Sequence, residues 1–290
     1  PGGRTTVSVN SNVPEAVRAV AADGTKLRYA LMELTNQIPD AIALGRGDPD
    51  LATPHHIVEA VKRAIRDQQT GPTPVSGMSI LREAVAAKLN QENGLTVNAN
   101  NVIITSGGQE GLYLIMQALL DPGDEILVPD PRYTSYDEAV VSAGGQYVLI
   151  PTDHEDAFNL RPEAVEAAIT PRTKALLIVT PSNPTGGIVT EERRRSIADV
   201  AIRHNLIVIS DEIYEKFVYD NWKHFSIGSL PGMAERTITL NGFSKSYAMS
   251  GFRCGYVAGP TNLIDALARV KAVTSGPAAT ISQWCGLAAV

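Results

Sequence analysis

The chain has 290 residues, 44% hydrophobic and 19% charged, enough to bury a full core, which excludes the disordered and fibrous classes. A formal net charge of -6 excludes a general basic field for nucleic acid or an anionic membrane and favours a small-molecule ligand. Two cysteines, Cys254 and Cys285, make no disulfide framework, no apolar run reaches membrane-spanning length, and PGGRTTVSVN lacks the parts of a signal peptide, so the expected compartment is the cytoplasm.

In chain order, residues 1–48 read as an N-terminal arm and part of a small domain, and the start at Pro1 points to earlier residues that are missing. Residues 49–290 read as one large domain. Helical spacing predicts helices at 54–68 and 80–92, separated by the Gly/Pro-rich loop TGPTPVSG at 70–77. A strand at 102–105 feeds a helix at 109–120, and strands follow at 125–128 and 146–150. A helix at 161–168, a strand at 174–179 and a helix at 190–204 come next. Strands at 206–210, 237–240 and 255–258 lead to a helix at 262–273. The last stretch, ATISQWCGLAAV, reads as an apolar helix stopping before any cap, so the chain is expected to be a fragment. Short β-branched runs alternating with helical segments predict an α/β fold, a three-layer α/β/α domain around a mostly parallel sheet.

Five strands run directly into polar, glycine-rich or aromatic clusters: VIIT into SGGQE, EILV into PDPRY, ALLIV into TPSNPTG, LIVI into SDEIY and TITL into NGFSK. Ligands of open α/β sheets bind outside the carboxyl ends of the strands, so these clusters are expected to converge on one pocket.

Ser106, Gly107 and Gly108 stand between a strand and a helix, where free N–H groups and the positive helix end make an anion seat. A tight turn would use the same residues. Arg253, eight residues after Lys245, offers a bidentate contact to the same anion, or a structural ion pair. Lys245 sits in the small, polar NGFSKSYAMSG, where partial desolvation prepares an amine for imine formation. Asp211 follows a strand, where a carboxylate can hold a pyridine nitrogen protonated; taken alone it would serve as a helix cap. Tyr214, three residues on, can donate to a phenolic oxygen, and so can the amide of Asn183, which its following proline holds extended. Tyr133 can lay its ring on a flat heteroaromatic ligand or pack in the core. Cys254 and Trp284 are assigned to packing and His55 and His56 to a helix start, with no metal site.

Taken together, SGGQEG, PDPRY, NPTGG, SDEIY and NGFSKSYAMSGFRCGY, with the early GRGDPDLATP, resemble in order and spacing the class I/II aminotransferases of the fold-type I PLP enzymes. The resemblance implies pyridoxal 5'-phosphate (PLP) as cofactor and Lys245 as its Schiff-base lysine and proton shuttle. It implies that Asp211 pairs with the pyridinium nitrogen, that Asn183 and Tyr214 hold the phenolic oxygen and that Tyr133 stacks on the ring. Gly107, Gly108, Gln109, Ser244 and Arg253, with Ser106, would surround the phosphate, and Gly47 would offer its backbone to the substrate carboxylate.

The implied activity is amino-group transfer between an L-amino acid and a 2-oxo acid by a homodimer. Two departures stand out: Thr70, Gly71 and Pro72 replace the tyrosine that family members often send to the partner's phosphate, and the small-domain arginine for the substrate carboxylate is not in this sequence. Carbon–sulfur β-elimination, racemisation and decarboxylation use the same cofactor grip and remain alternatives. A PLP-binding regulatory module would need a DNA-binding partner domain, and no basic helix-turn-helix segment precedes residue 50.

Overall fold

The computed structural model describes residues 30–35, 37–40, 42 and 47–290. These fall into two units, divided between Gly47 and Asp48. In the first, residues 30–35 are helical, and most of the expected arm lies outside the described residues.

The second unit is an α/β layer structure on a seven-stranded sheet ordered β1-β7-β6-β5-β4-β2-β3. Its strands are β1 Val102–Thr105, β2 Glu125–Asp130, β3 Gln146–Pro151, β4 Thr173–Val179, β5 Ile207–Asp211, β6 Thr237–Gly242 and β7 Gly255–Ala258. β2 through β6 pair in parallel, while β7 runs antiparallel to both its neighbours. The expected mostly parallel sheet is therefore present. β1, β6 and β7 are buried along their whole length, and the continuous apolar stretches VII of β1 and ALLIV of β4 reflect burial on both faces. β3 pairs only with β2 and is half open to solvent, as an edge strand is.

Eight helices of this unit are described: α1 His55–Arg66, α2 Ser79–Glu92, α3 Gly108–Leu119, α4 Ser135–Ser142, α5 Pro162–Ala167, α6 Glu191–Arg203, α7 Thr261–Thr274 and α8 Thr280–Ala289. Residues 70–77 form the expected irregular loop. Sequence periodicity did not reveal α4, whose segment mixes tyrosine, valine and alanine; Asp137 and Glu138 in its first turn suit the helix N-terminus.

Alternation along the strands sorts the core into two faces. Ile103, Ala175, Leu177, Val179, Ile209 and Val257 pack with side chains of α3, α4 and α7. Their neighbours point the other way: Val102, Ile104, Tyr256 and Ala258 meet α1, α2 and α8, and Leu176, Ile178 and Val208 meet α5 and α6. No described helix is long and apolar enough to cross a membrane.

Candidate active site

Register places the predicted residues along one edge of the sheet. Val179 aligns with Asp211 and Asp211 with Leu240, while Gly242 and Thr105 both align with Gly255. The carboxyl ends of β1, β4, β5 and β6 and the start of β7 therefore share that edge, where open α/β sheets bind ligands.

At one end, β1 turns into α3 through Gly107, whose φ of 82° lies in the left-handed region that favours glycine. A Cβ on Gly107 would stand 2.4 Å from Arg253 Nη2, so the guanidinium lies directly over the start of α3. Gly255 is equally confined, since a Cβ there would meet the carbonyl carbon of Gly107 at 2.7 Å. Arg253 adopts φ 50° and is exposed, its Nη1 donating to the Ser250 carbonyl at 3.3 Å. Gly108 and Gln109 open α3, with Gln109 exposed.

Ser106 differs from expectation. Its N–H is not free for an anion, because it donates to Glu110 Oε2. Burial works to raise the Glu110 carboxyl, but hydrogen bonds from Lys271, Ser275 and the Ser106 N–H outweigh it and lower its pKa. Lys271 Nζ reaches both Glu110 oxygens at 2.7 Å and is fully buried. This pair ties the glycine turn to α7 through Glu110.

Further along the edge lies Asp211, the last residue of β5. Its Oδ2 accepts from the Tyr136 hydroxyl at 2.8 Å and its Oδ1 from the Ile213 N–H at 3.1 Å. Burial pushes its pKa up to about 6, against those two bonds and with the Glu212 charge adding to the rise. Tyr136 was missed from the sequence; it lies on α4, the helix periodicity did not reveal, one turn beyond Tyr133. The Tyr133 and Tyr136 rings meet edge to face, with centroids 5.6 Å apart. Arg132 steadies this loop by bridging Asp137 through Nε and Nη2 and Asp130 through Nη1, at 2.6 to 2.7 Å.

Tyr214 is half-buried and hydrogen-bonded to Asn183. Burial, followed by the charges of Asp211 and Tyr133, pushes its hydroxyl up. Lys245 Nζ lies 6.0 Å from the centre of the Tyr214 ring, which brings the lysine to the same place. That ammonium donates to Asp48 Oδ1 at 2.6 Å, and the Ser250 hydroxyl donates to the same oxygen at 2.9 Å. Asp48, within GRGDPDLATP, is a second residue at this place that no local sequence signal singled out. Ser244 is buried and its carbonyl accepts from the Ser250 hydroxyl at 3.1 Å. Gly47 is exposed and belongs to the first unit.

The arrangement is thus a glycine turn crowded by an arginine, a buried acid and an amine along one sheet edge. Residues 39–290 match the family model for aminotransferase class I and II. A probable aspartate/prephenate aminotransferase of Thermus aquaticus is 44% identical over 282 residues, 97% of this chain and 71% of that protein. The aspartate/prephenate aminotransferase of Thermus thermophilus is 43% identical over 259 residues, 89% of this chain and 66% of that protein. The solved aspartate aminotransferase from Thermus thermophilus with maleate superposes with a TM-score of 0.91 at 42% identity, covering 96% of this chain and 72% of that one. The chain therefore spans roughly two thirds or slightly more of the length of these relatives, and it belongs to the class I and II aminotransferases.

Proposed function

We propose that this chain is the cofactor-binding and catalytic part of a PLP-dependent aminotransferase that takes its amino group from aspartate and passes it to a 2-oxo acid. The observation that carries the reading is Asp211: a buried carboxylate raised to about 6, to which no described cationic side chain donates a hydrogen bond. A protonated ring nitrogen would supply the opposite charge that this carboxylate lacks. The crowding of Arg253 over Gly107 supports a phosphate seat at the other end.

Under this reading Lys245 Nζ would hold PLP covalently, once released from Asp48. Asp211 would hold the ring nitrogen, Tyr214 and Asn183 the phenolic oxygen, and Tyr133 the ring face. Gly107, Gly108, Gln109, Ser244 and Arg253 would hold the phosphate. PLP, when bound, supplies an electron sink for the bonds at the substrate Cα. Lys245 Nζ would act as the base that takes the proton from the substrate Cα and as the acid that returns it to the cofactor carbon on the other side of the amine nitrogen. The Tyr214 ring centre lies 6.0 Å from that amine, so the two residues would face the same part of the cofactor. Gly47 would meet the substrate carboxylate through its backbone. The names of the similar proteins support aspartate as donor, and the resemblance alone supports a homodimer in the cytoplasm.

The test is a mixture of the intact enzyme, PLP, L-aspartate and one 2-oxo acid at a time. Transamination predicts equal amounts of a new amino acid and of the oxo acid made from aspartate, with no free ammonia. Ammonia or carbon dioxide released without any acceptor would place the enzyme among the lyases or decarboxylases instead.

A further inference from the structure

Behind Asp211 lies a buried polar cluster that the chemistry does not use. Glu212, Glu215 and His224 each bring a ligand-type atom within 4.8 Å of the others. A metal is not what completes them, because Lys88 and Asn93 already occupy the inner carboxylate oxygens. Lys88 Nζ donates to Glu215 Oε1 and, at 2.9 Å, to Asn93 Oδ1. Asn93 Nδ2 donates to Glu215 Oε2 at 2.7 Å and to Glu212 Oε2 at 2.9 Å. His224 Nε2 donates to Glu212 Oε2 at 2.9 Å, and the hydroxyls of Ser226 and Ser210 donate to Glu212 Oε1 at 2.7 and 2.9 Å. Lys88, Asn93, Glu212 and Glu215 are all at most 7% exposed.

The alternation of β5 explains why this cluster matters. Asp211 shares its face with Ile209 and meets Tyr136 of α4, whereas Glu212 shares the opposite face with Val208 and Ser210. The same short segment therefore carries Asp211 and Tyr214 toward the site and Glu212 and Glu215 away from it. A closed network on one side of a backbone restricts where side chains on the other side can stand.

We propose that Lys88, Asn93, Glu212, Glu215 and His224 form a buried latch that positions Asp211 and Tyr214 for the cofactor ring. Lys88 supplies the cation, Asn93 ties both glutamates to the end of α2, and His224 closes the set from the loop beyond β5. Burial works to raise the Glu212 carboxyl, but the bonds from His224, Ser226 and Ser210 hold it at about 2, so it stays charged across the working pH range. The latch rests on the functional reading above only for its purpose; its effect on the segment does not.

The test compares His224→Leu with His224→Gln in the full-length enzyme. The glutamine amide N–H replaces the imidazole donor to Glu212, while leucine removes it. The first readout is amide hydrogen exchange at Ile213 and Glu215 in cofactor-free protein, since their N–H groups bond Asp211 Oδ1 and the Glu212 carbonyl. The second is the dissociation constant for PLP. His224→Leu is expected to speed exchange and weaken PLP binding by about tenfold each, and His224→Gln to restore both to within about twofold. Ile197→Val, a core change on α6 away from the cluster, controls for a general loss of stability and is expected to move neither readout. If His224→Leu does not fold, Asn93→Ala is read in the same two ways with the same expected direction. A folded His224→Leu with unchanged exchange, or an Ile197→Val that reproduces its changes, overturns the latch. Failure of the wild type to bind PLP overturns the functional reading instead, and leaves the exchange comparison to decide the latch.

Discussion

Asp211→Asn separates what the carboxylate does for the fold from what it does for the cofactor. Asparagine has the same shape, and its side-chain oxygen still accepts from the Tyr136 hydroxyl or the Ile213 N–H. The folded pKa of Asp211 is about 6 against an ordinary 3.8. A carboxyl raised on folding binds more protons in the native state, so the stability it contributes is fully present below 3.8 and is lost as pH rises through about 6. At about 1.36 kcal/mol per unit, the carboxylate costs the cofactor-free protein about 3 kcal/mol above that range. Roughly half of this develops between pH values of about 5 and about 8. Urea unfolding of cofactor-free wild type and variant at those two pH values isolates the effect, because other titrating groups cancel in the difference. The variant is expected to gain on the order of 1 kcal/mol on the wild type between the lower and the higher pH. The same change is expected to reduce turnover at least about a hundredfold, since the ring nitrogen loses its partner. A stability difference that does not change with pH, or that favours the wild type more at the higher pH, would refute the assignment of Asp211 as a desolvated acid.

Tyr136→Phe removes a donor to the Asp211 carboxylate, so its pKa moves further up and the acid limb of PLP affinity against pH shifts upward by about one unit. Gly107→Ala places a Cβ 2.4 Å from Arg253 Nη2 at φ 82°, and equilibrium dialysis is expected to show PLP affinity falling by about tenfold or more. Arg194 is 3% exposed, its guanidinium lies 5.0 Å from the centre of the Phe225 ring, and its Nε and Nη1 find no hydrogen-bond partner among the described residues. Burial lowers its pKa to about 10 even with Glu212 and Glu191 nearby. Arg194→Leu is therefore expected to raise stability by about 1 kcal/mol, read as a higher Tm in a thermal unfolding scan.

Much of the sheet was legible because strands buried on both faces, such as β1 and β4, spell themselves out as the apolar runs VII and ALLIV. Position along the strands also gathered the candidate site: once each run is a strand, the polar cluster after it has only one edge to occupy. Side-chain partnerships were not legible in this way. The Tyr136 hydroxyl and Asp211 are 75 residues apart, and Lys88 and Glu215 are 127 apart. Nothing local announces either pair, because each depends on how helices pack across the sheet. Ser106 shows the reverse error, where a correctly placed turn was credited with an N–H that Glu110 had already taken. The helix α4 was hidden for a propensity reason: tyrosine and paired valines read as strand or loop until tertiary packing overrides them.

The most direct test of the account is to load the enzyme with PLP, reduce it with borohydride, digest it and map the peptide that retains the cofactor. The account predicts a single labelled peptide carrying Lys245, absent in Lys245→Ala even at saturating PLP. Label on another lysine, or no label at all in a folded protein, would contradict the role assigned to the sheet edge.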